Sequence, residues 1–333
     1  MKKLLKISRS NFHNVGNFSW INYFIEILNL KYEVVIDSEN PDIVIYSNLF
    51  YIENEIDYFT KKKIRGIGDY SSNVKKIFIS GEANPGYHSH LTRGENNYVL
   101  GYEHIEHDRY LRFPTYVLDA YVLHNEGGLF ENKFGWLTQK RDARQIFYTK
   151  KYFCSIVQNS FNEDRKKLCD IIEKKYWIKA SGAFKNTVSP EETLNTSQYH
   201  NYSNPNYIGK IDGLVYRDKI KFFEDCFFNI AFQYTDTDHL TQEKIIHAFA
   251  ANTIPIFWGN RFIENEGFNP DSFVNCHKFQ SLEDVFSYLD ELINDKTKMV
   301  KMLGEPFFID NKLPIYFDEE YLLNFLEKII EEK

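Results

Sequence analysis

Apolar positions along the chain fall into two rhythms, and the switches between them predict its elements. "KLLKIS" (3–8) reads as a strand, and "FSWINYFIEILNL" (18–30) as an amphipathic helix with Trp20, Phe24, Ile27 and Leu28 on one face. The runs "EVVID" (33–37), "DIVIYS" (42–47), "KKIFIS" (75–80) and "YVLGY" (98–102) follow as strands. Short runs rich in β-branched residues suit strands covered on both faces, hence a parallel sheet. Residues 122–146, "VLHNEGGLFENKFGWLTQKRDARQI", break the pattern with glycines and mixed charge and read as an interdomain connection.

The alternation then restarts. "KYFCSIVQ" (151–158) is a strand, and "NEDRKKLCDIIEKKY" (162–176) a helix with Asn162 as its N-cap. "IKASG" (178–182) and "FNIAFQY" (228–234) are strands on either side of the helix "DKIKFFEDC" (218–226). A helix starting near Thr241 leads into the strand "TIPIFW" (253–258), and "SLEDVFSYLDELI" (281–293) and "DEEYLLNFLEKIIEEK" (318–333) are closing helices. The expected class is α/β, with two domains facing each other across a cleft. Residues 1–145 form the first domain, 147–315 the second and 316–333 a closing helix.

Composition narrows the partners. The net charge of −7 argues against a nucleic-acid binder, because phosphate neutralisation needs a basic face. Aromatic residues reach 17%, which suits stacking on sugars but equally a coding bias toward Tyr and Phe. Cys154, Cys169, Cys226 and Cys276 are far apart and lack C-x-x-C spacing, as expected of reduced cytosolic thiols. The N-terminal "MKKLLKISRSNF" has too short an apolar core for a signal peptide, and no run approaches the ~18 apolar residues of a membrane span. A cytoplasmic location is expected.

Three places carry candidate chemistry. Glu82 follows a strand and Gly81, where a general base at a strand's carboxyl end would stand; a surface glutamate in a turn would look the same. Arg165 lies in the first turn of a helix that follows a strand, where a phosphate is at home, although Glu163 and Asp164 already offset its charge there. Glu243 and Lys244 open a second such helix. Two cations at two helix N-termini of one α/β domain suit a diphosphate held between them. Weaker candidates are Asp236 and Asp238 as a D-x-D metal element, and the spaced pairs His88/His90 and His104/His107. Glu103, Glu106 and Asp108 are rival bases, and His247 lies one turn beyond Glu243, either to orient it or as a half-buried polar residue.

"FNIAFQYTDTDHLTQEKIIHAFAANTIPIFWGN" resembles the signature of the α1,3/α1,4-fucosyltransferases, which reads like F-x-x-x-F-E-N-S, then Y-x-T-E-K, a helix and T-I-P-I-Y-W-G. "IFISGEANPGY" and "NNYVLGYEHIEHDRYLRFPTY" are similar to that family's strand-G-E turn and its D-Y-x-x-G-F…R-Y-L-R-x-P segment. "VQNSFNEDR" resembles its S-N…R element, and the likeness covers roughly residues 75–295. It implies two Rossmann-like domains of GT-B type, an acceptor domain followed by a donor domain. It also implies inverting transfer of fucose or a related 6-deoxysugar from a GDP donor, with no required cofactor and a metal at most stimulatory. On this resemblance Glu82 falls on the base, Arg165 and Lys244 on the diphosphate-binding cations and Glu243 on the acid facing the donor. Gln158, Asn159, Gln233 and Tyr234 fall around the nucleotide and sugar.

The implied acceptor is an oligosaccharide or glycolipid, such as N-acetylglucosamine or glucose in a lipopolysaccharide or capsule. Departures cluster near the donor. Phe232-Gln233-Tyr234-Thr235 stands for F-E-N-S, Leu240 and Gln242 replace the Tyr and Thr of Y-x-T-E-K, and Gln158 replaces the Ser of S-N. No heptad repeats or basic amphipathic tail follow, so the expectation is a cytoplasmic protein, at most peripheral to the inner face of the membrane. Two alternatives stay open: a metal-dependent transferase using Asp236 and Asp238 with another nucleotide sugar, and a catalytically silent glycan-binding relative.

Overall fold

The computed structural model describes residues 2–10, 20–47, 66–83, 85–125, 130–194 and 214–332. These form two compact units. The described residues of 2–122 and 315–332 make the first, and those of 123–194 and 214–314 the second.

In the first unit the strands are β1 (Lys3–Ser10), β2 (Tyr32–Ile36), β3 (Ile43–Tyr46), β4 (Lys75–Ile79), β5 (Asn97–Gly101) and β6 (Tyr110–Arg112). They pair in parallel in the order β2-β1-β3-β4-β5-β6. Every residue of β3 and β5 is buried, which explains their unbroken apolar character. Helices α1 (Trp20–Leu28), α2 (Tyr87–Leu91) and α3 (Tyr116–Asn125) accompany the sheet. The last helix, α10 (Glu319–Glu331), returns to this unit although it is distant in sequence. Asp318 caps it, Lys31 Nζ reaches Glu327 at 2.6 Å, and the Tyr98 hydroxyl donates to Glu332 at 2.6 Å.

The second unit contains α4 (Ala143–Thr149), β7 (Tyr152–Val157), α5 (Glu163–Ile172), β8 (Ile178–Ser181), α6 (Leu214–Glu224) and β9 (Cys226–Phe232). It continues with α7 (Glu243–Ala250), β10 (Ile254–Trp258), β11 (Val274–Asn275), α8 (Leu282–Asn294) and α9 (Lys296–Gly304). Its sheet is also parallel, in the order β11-β10-β9-β7-β8. Alternate residues Cys154, Ile156, Phe228, Ile230, Phe232, Ile254 and Ile256 form one core with Leu168 and Ile172 of α5 and Val285 and Leu289 of α8. Side chains of opposite parity point to the other face, where Asn229 donates to the Ser155 hydroxyl at 3.0 Å. All four cysteines are buried free thiols, and burial pushes Cys169 and Cys226 up to about 12.

Within the expected 122–146 connection, α3 runs to Asn125, and Ala143, Ile146 and Phe147 of α4 pack on the second core. Helix α5 stops at Ile172, because Tyr176 folds back to stack on Phe153 at 4.1 Å. The short elements α2, β6, β11 and α9 have too few periodic residues to announce themselves. Among the described residues no helix is long and apolar enough to cross a membrane.

Candidate functional site

Parallel strands end on one edge, and ligands in such sheets bind outside the carboxyl ends where strand order reverses. In the second unit that reversal lies between β7 and β9, which lead to α5 and α7. Gln158 and Asn159 leave β7 here. Gln158 Nε2 donates to the Ser160 hydroxyl at 2.9 Å, and the Asn159 side-chain oxygen accepts from Ala183 N at 3.0 Å. The chain after β8 passes so close that a Cβ on Gly182 would lie 2.3 Å from the Gln158 carbonyl oxygen; its φ of +127° excludes other residues as well.

Arg165 does begin α5, behind an Asn162 cap whose side chain accepts from Arg165 N at 2.9 Å. Its side chain, however, is fully buried at 0% exposure. The guanidinium donates to the carbonyls of Ser160 at 2.8 Å, Phe232 at 3.1 Å and Gln233 at 3.3 Å, and lies 5.5 Å from the centre of the Phe184 ring. It ties the turn after β7 to the end of β9. Burial lowers its pKa to about 10, which leaves the cation intact at neutral pH.

Glu243 and Lys244 open α7 as expected, their side chains paired at 3.1 Å and 29% and 13% exposed. Gln242, the residue before the helix, does not cap it with its side chain. Burial alone would raise the Glu243 carboxyl, but Lys244 and Lys219 outweigh it and hold the group below the ordinary glutamate range. Glu243 is therefore a carboxylate. One turn on, His247 is fully rather than half-buried, and burial pushes its imidazole well below the ordinary value, so it is neutral.

Gln233 is fully buried while the next residue, Tyr234, is 64% exposed. The Tyr234 carbonyl accepts from Asn162 Nδ2 at 3.2 Å, a second tie between β9 and the start of α5.

In the first unit, Glu82 stands just past the carboxyl end of β4 and is exposed. Its backbone is held from both sides: its N–H donates to the Ser80 hydroxyl at 3.1 Å, and its carbonyl accepts from the Tyr102 hydroxyl at 3.3 Å. Gly81 is needed for space, since a Cβ there would meet Thr115 Oγ1 at 2.9 Å.

The weaker candidates have other engagements. Asp236 pairs with Arg261 at 2.7 Å, and Asp238 is exposed nearby. His90 is buried, stacks on Phe78 at 3.6 Å and meets the Tyr46 hydroxyl at 2.9 Å. His88 shares α2 with it, His107 pairs with Asp108 at 2.9 Å, and the Glu103 carbonyl accepts from Tyr110 at 2.8 Å. His104 and Glu106 are exposed. No group of three or more His, Cys, Asp or Glu residues suited to a metal occurs among the described residues.

Two residues escaped the sequence reading. Asn260 is fully buried; its oxygen accepts from His239 N at 2.8 Å and Phe262 N at 2.9 Å, and its amide donates to Thr241 at 3.0 Å and Glu266 at 2.9 Å. His277 meets the Gly259 carbonyl at 2.8 Å and stacks with Trp258 at 6.1 Å. An Asn directly after a W-G pair was the one available hint of the first.

Fold and site thus define an α/β protein with two parallel sheets, the second bearing cations in the first turns of the helices that follow β7 and β9. Residues 148–303 match the family described as "Glycosyltransferase family 10 (fucosyltransferase) C-term". The chain is 26% identical over 270 residues to the α-(1,3)-fucosyltransferase FucT of Helicobacter pylori, a match covering 78% of this chain and 53% of that protein. The chain therefore spans about half the length of this curated relative. Crystal structures of α1,3-fucosyltransferase share its fold. One with GDP aligns at a TM-score of 0.65 and 22% identity, covering 100% of this chain and 92% of that one. Another, with GDP-fucose, aligns at 0.63 and 22%, with the same coverage of both chains.

Proposed function

We propose that the protein is an inverting glycosyltransferase that moves fucose, or a related 6-deoxysugar, from a GDP donor to a hydroxyl of a glycan acceptor. The observation that carries this reading is the Glu243–Lys244 pair at the start of α7, beside the buried Arg165 cation at the β7/β9 reversal. Departing GDP gathers negative charge, and preorganised cations and helix N-termini stabilise it without a metal. Lys244 is the direct diphosphate contact in this scheme. Arg165 adds fixed positive charge from behind the Gln233 and Ser160 carbonyls, and the ionised Glu243 faces the oxocarbenium-like sugar. Gln158, Asn159 and Tyr234 line the nucleotide side.

Glu82 is the general base that takes the acceptor proton as the hydroxyl oxygen attacks the donor's C1 and the bond to GDP breaks. The two units correspond to acceptor and donor domains of a GT-B enzyme, and the acceptor is a surface glycan carrying N-acetylglucosamine or glucose. Complexes of fold relatives with GDP and GDP-fucose support the donor class.

A panel of GDP- and UDP-sugars, with nucleotide release as readout, tests the reading. Turnover with a GDP-6-deoxysugar that survives EDTA is expected; turnover with UDP-sugars alone, abolished by EDTA, would favour the Asp236/Asp238 metal alternative. Glu82→Gln should lower transfer by about 10²–10⁴-fold with GDP affinity unchanged. Near-full transfer by that variant would remove Glu82 from the base role.

A further inference from the structure

Three of the positions that depart from the fucosyltransferase signature, Gln233, Leu240 and Gln242, converge on one hydrogen-bonded cluster. In the orientation that satisfies both neighbours, Gln233 Nε2 donates to the Leu240 carbonyl at 2.8 Å and Oε1 accepts from Gln242 N at 2.9 Å. The Gln233 backbone is fixed as well: its N–H donates to the Trp258 carbonyl at 2.8 Å, and its carbonyl accepts from Arg165. The amide end lies against Gly259, where a Cβ would sit 2.5 Å away, so the glycine opens the space the side chain fills. Leu240 is buried at 1% and Gln233 at 0%, so both bonds are shielded from water.

We infer that Gln233 is a positioning residue: its side chain closes the loop from 233 to 242 and thereby sets the first turn of α7, which carries Glu243 and Lys244. One end of this side chain must donate and the other accept, a combination that an amide provides and a carboxylate does not. A glutamate, as in the family's F-E-N-S, would keep the bond from Gln242 N but turn an oxygen toward the Leu240 carbonyl. Asn260 fastens the same loop at His239 and Thr241, so the loop is held along its length. The step from loop to donor rests on the function proposed above.

The experiment combines backbone amide exchange at Gln242, Glu243 and Lys244 with GDP titration, on the wild type, Gln233→Met and Gln233→Glu. Gln233→Met keeps the length and loses both bonds; it should lower protection of the Gln242 amide and GDP affinity by about tenfold each. Gln233→Glu should keep the Gln242 amide protected yet still weaken GDP, a split that mere filling of space would not produce. Wild-type protection and affinity in Gln233→Met would overturn the inference. If that variant does not fold, Gln233→Glu decides: wild-type GDP affinity there would remove the need for an amide. Failure of the wild type to bind GDP would sink the proposed function instead, while the exchange data would still judge the loop.

Discussion

Helices α5 and α7 start alike in sequence, each after a parallel strand and each with a cation in its first turn, but they use that cation differently. In α5, Asn162 caps the helix and Arg165 turns inward, where three carbonyls take its guanidinium. In α7 the preceding Gln242 gives no side-chain cap, and the Lys244 side chain, 13% exposed, pairs with Glu243. A buried charge demands hydrogen bonds on every side, and the planar fork of arginine meets several carbonyls at once. Lys244 instead pairs with a carboxylate and keeps part of its side chain exposed. On the function proposed above, Arg165 builds the site and Lys244 meets the donor.

The comparison breaks most sharply on Lys244→Ala. Its kcat for glycosyl transfer should fall by about 10²–10³-fold, the size of one lost oxyanion-type contact. Its unfolding free energy should change less than that of Arg165→Met, since Lys244 pairs with one carboxylate whereas Arg165 serves three carbonyls. A large loss of stability with normal turnover would reverse the assignment.

Arg165→Met should show the opposite balance. It removes the donor from two buried carbonyls and one part-buried one and should cost about 3 kcal/mol in chemical denaturation, with any loss of turnover following from the displaced β9 end. An unchanged denaturation midpoint together with a selective loss of GDP binding would mean that Arg165 meets the diphosphate directly.

Acid sharpens the comparison further, because α7 has a buried imidazole. The native His247 pKa lies well below its unfolded value near 6.5, so the unfolded chain binds the extra proton first. Stability should be complete above about pH 6.5 and decline as pH falls below it. His247→Phe should flatten that slope in denaturation curves taken between about pH 7 and 5. An identical slope would place the acid sensitivity elsewhere. Buried His90 of the first unit, with its pKa lowered to about 4 by burial and then by Arg93, contributes in the same direction.

Much of this was legible in the sequence. The long strands showed as short β-branched runs, because burial on both faces of a parallel sheet leaves no polar alternation. Asn162 and the first-turn positions of Arg165, Glu243 and Lys244 followed from helix-start chemistry, which is local. The brief elements were not legible: β11 has two residues, and α4 is recognisable only from the core it covers. Nor did position in a helix reveal whether a side chain faces in or out.

By itself, then, the sequence determined two α/β regions, their main strands and helices, and the residues that start α5 and α7, since these depend on periodicity and on contacts a few residues apart. Only the tertiary structure decided that α10 belongs with the first unit, that Arg165 is enclosed, and that Gln233, Leu240 and Gln242 form one cluster around Gly259. Those outcomes depend on which strand ends lie side by side. A parallel sheet brings together β7 and β9, about seventy residues apart, and no local pattern encodes that pairing.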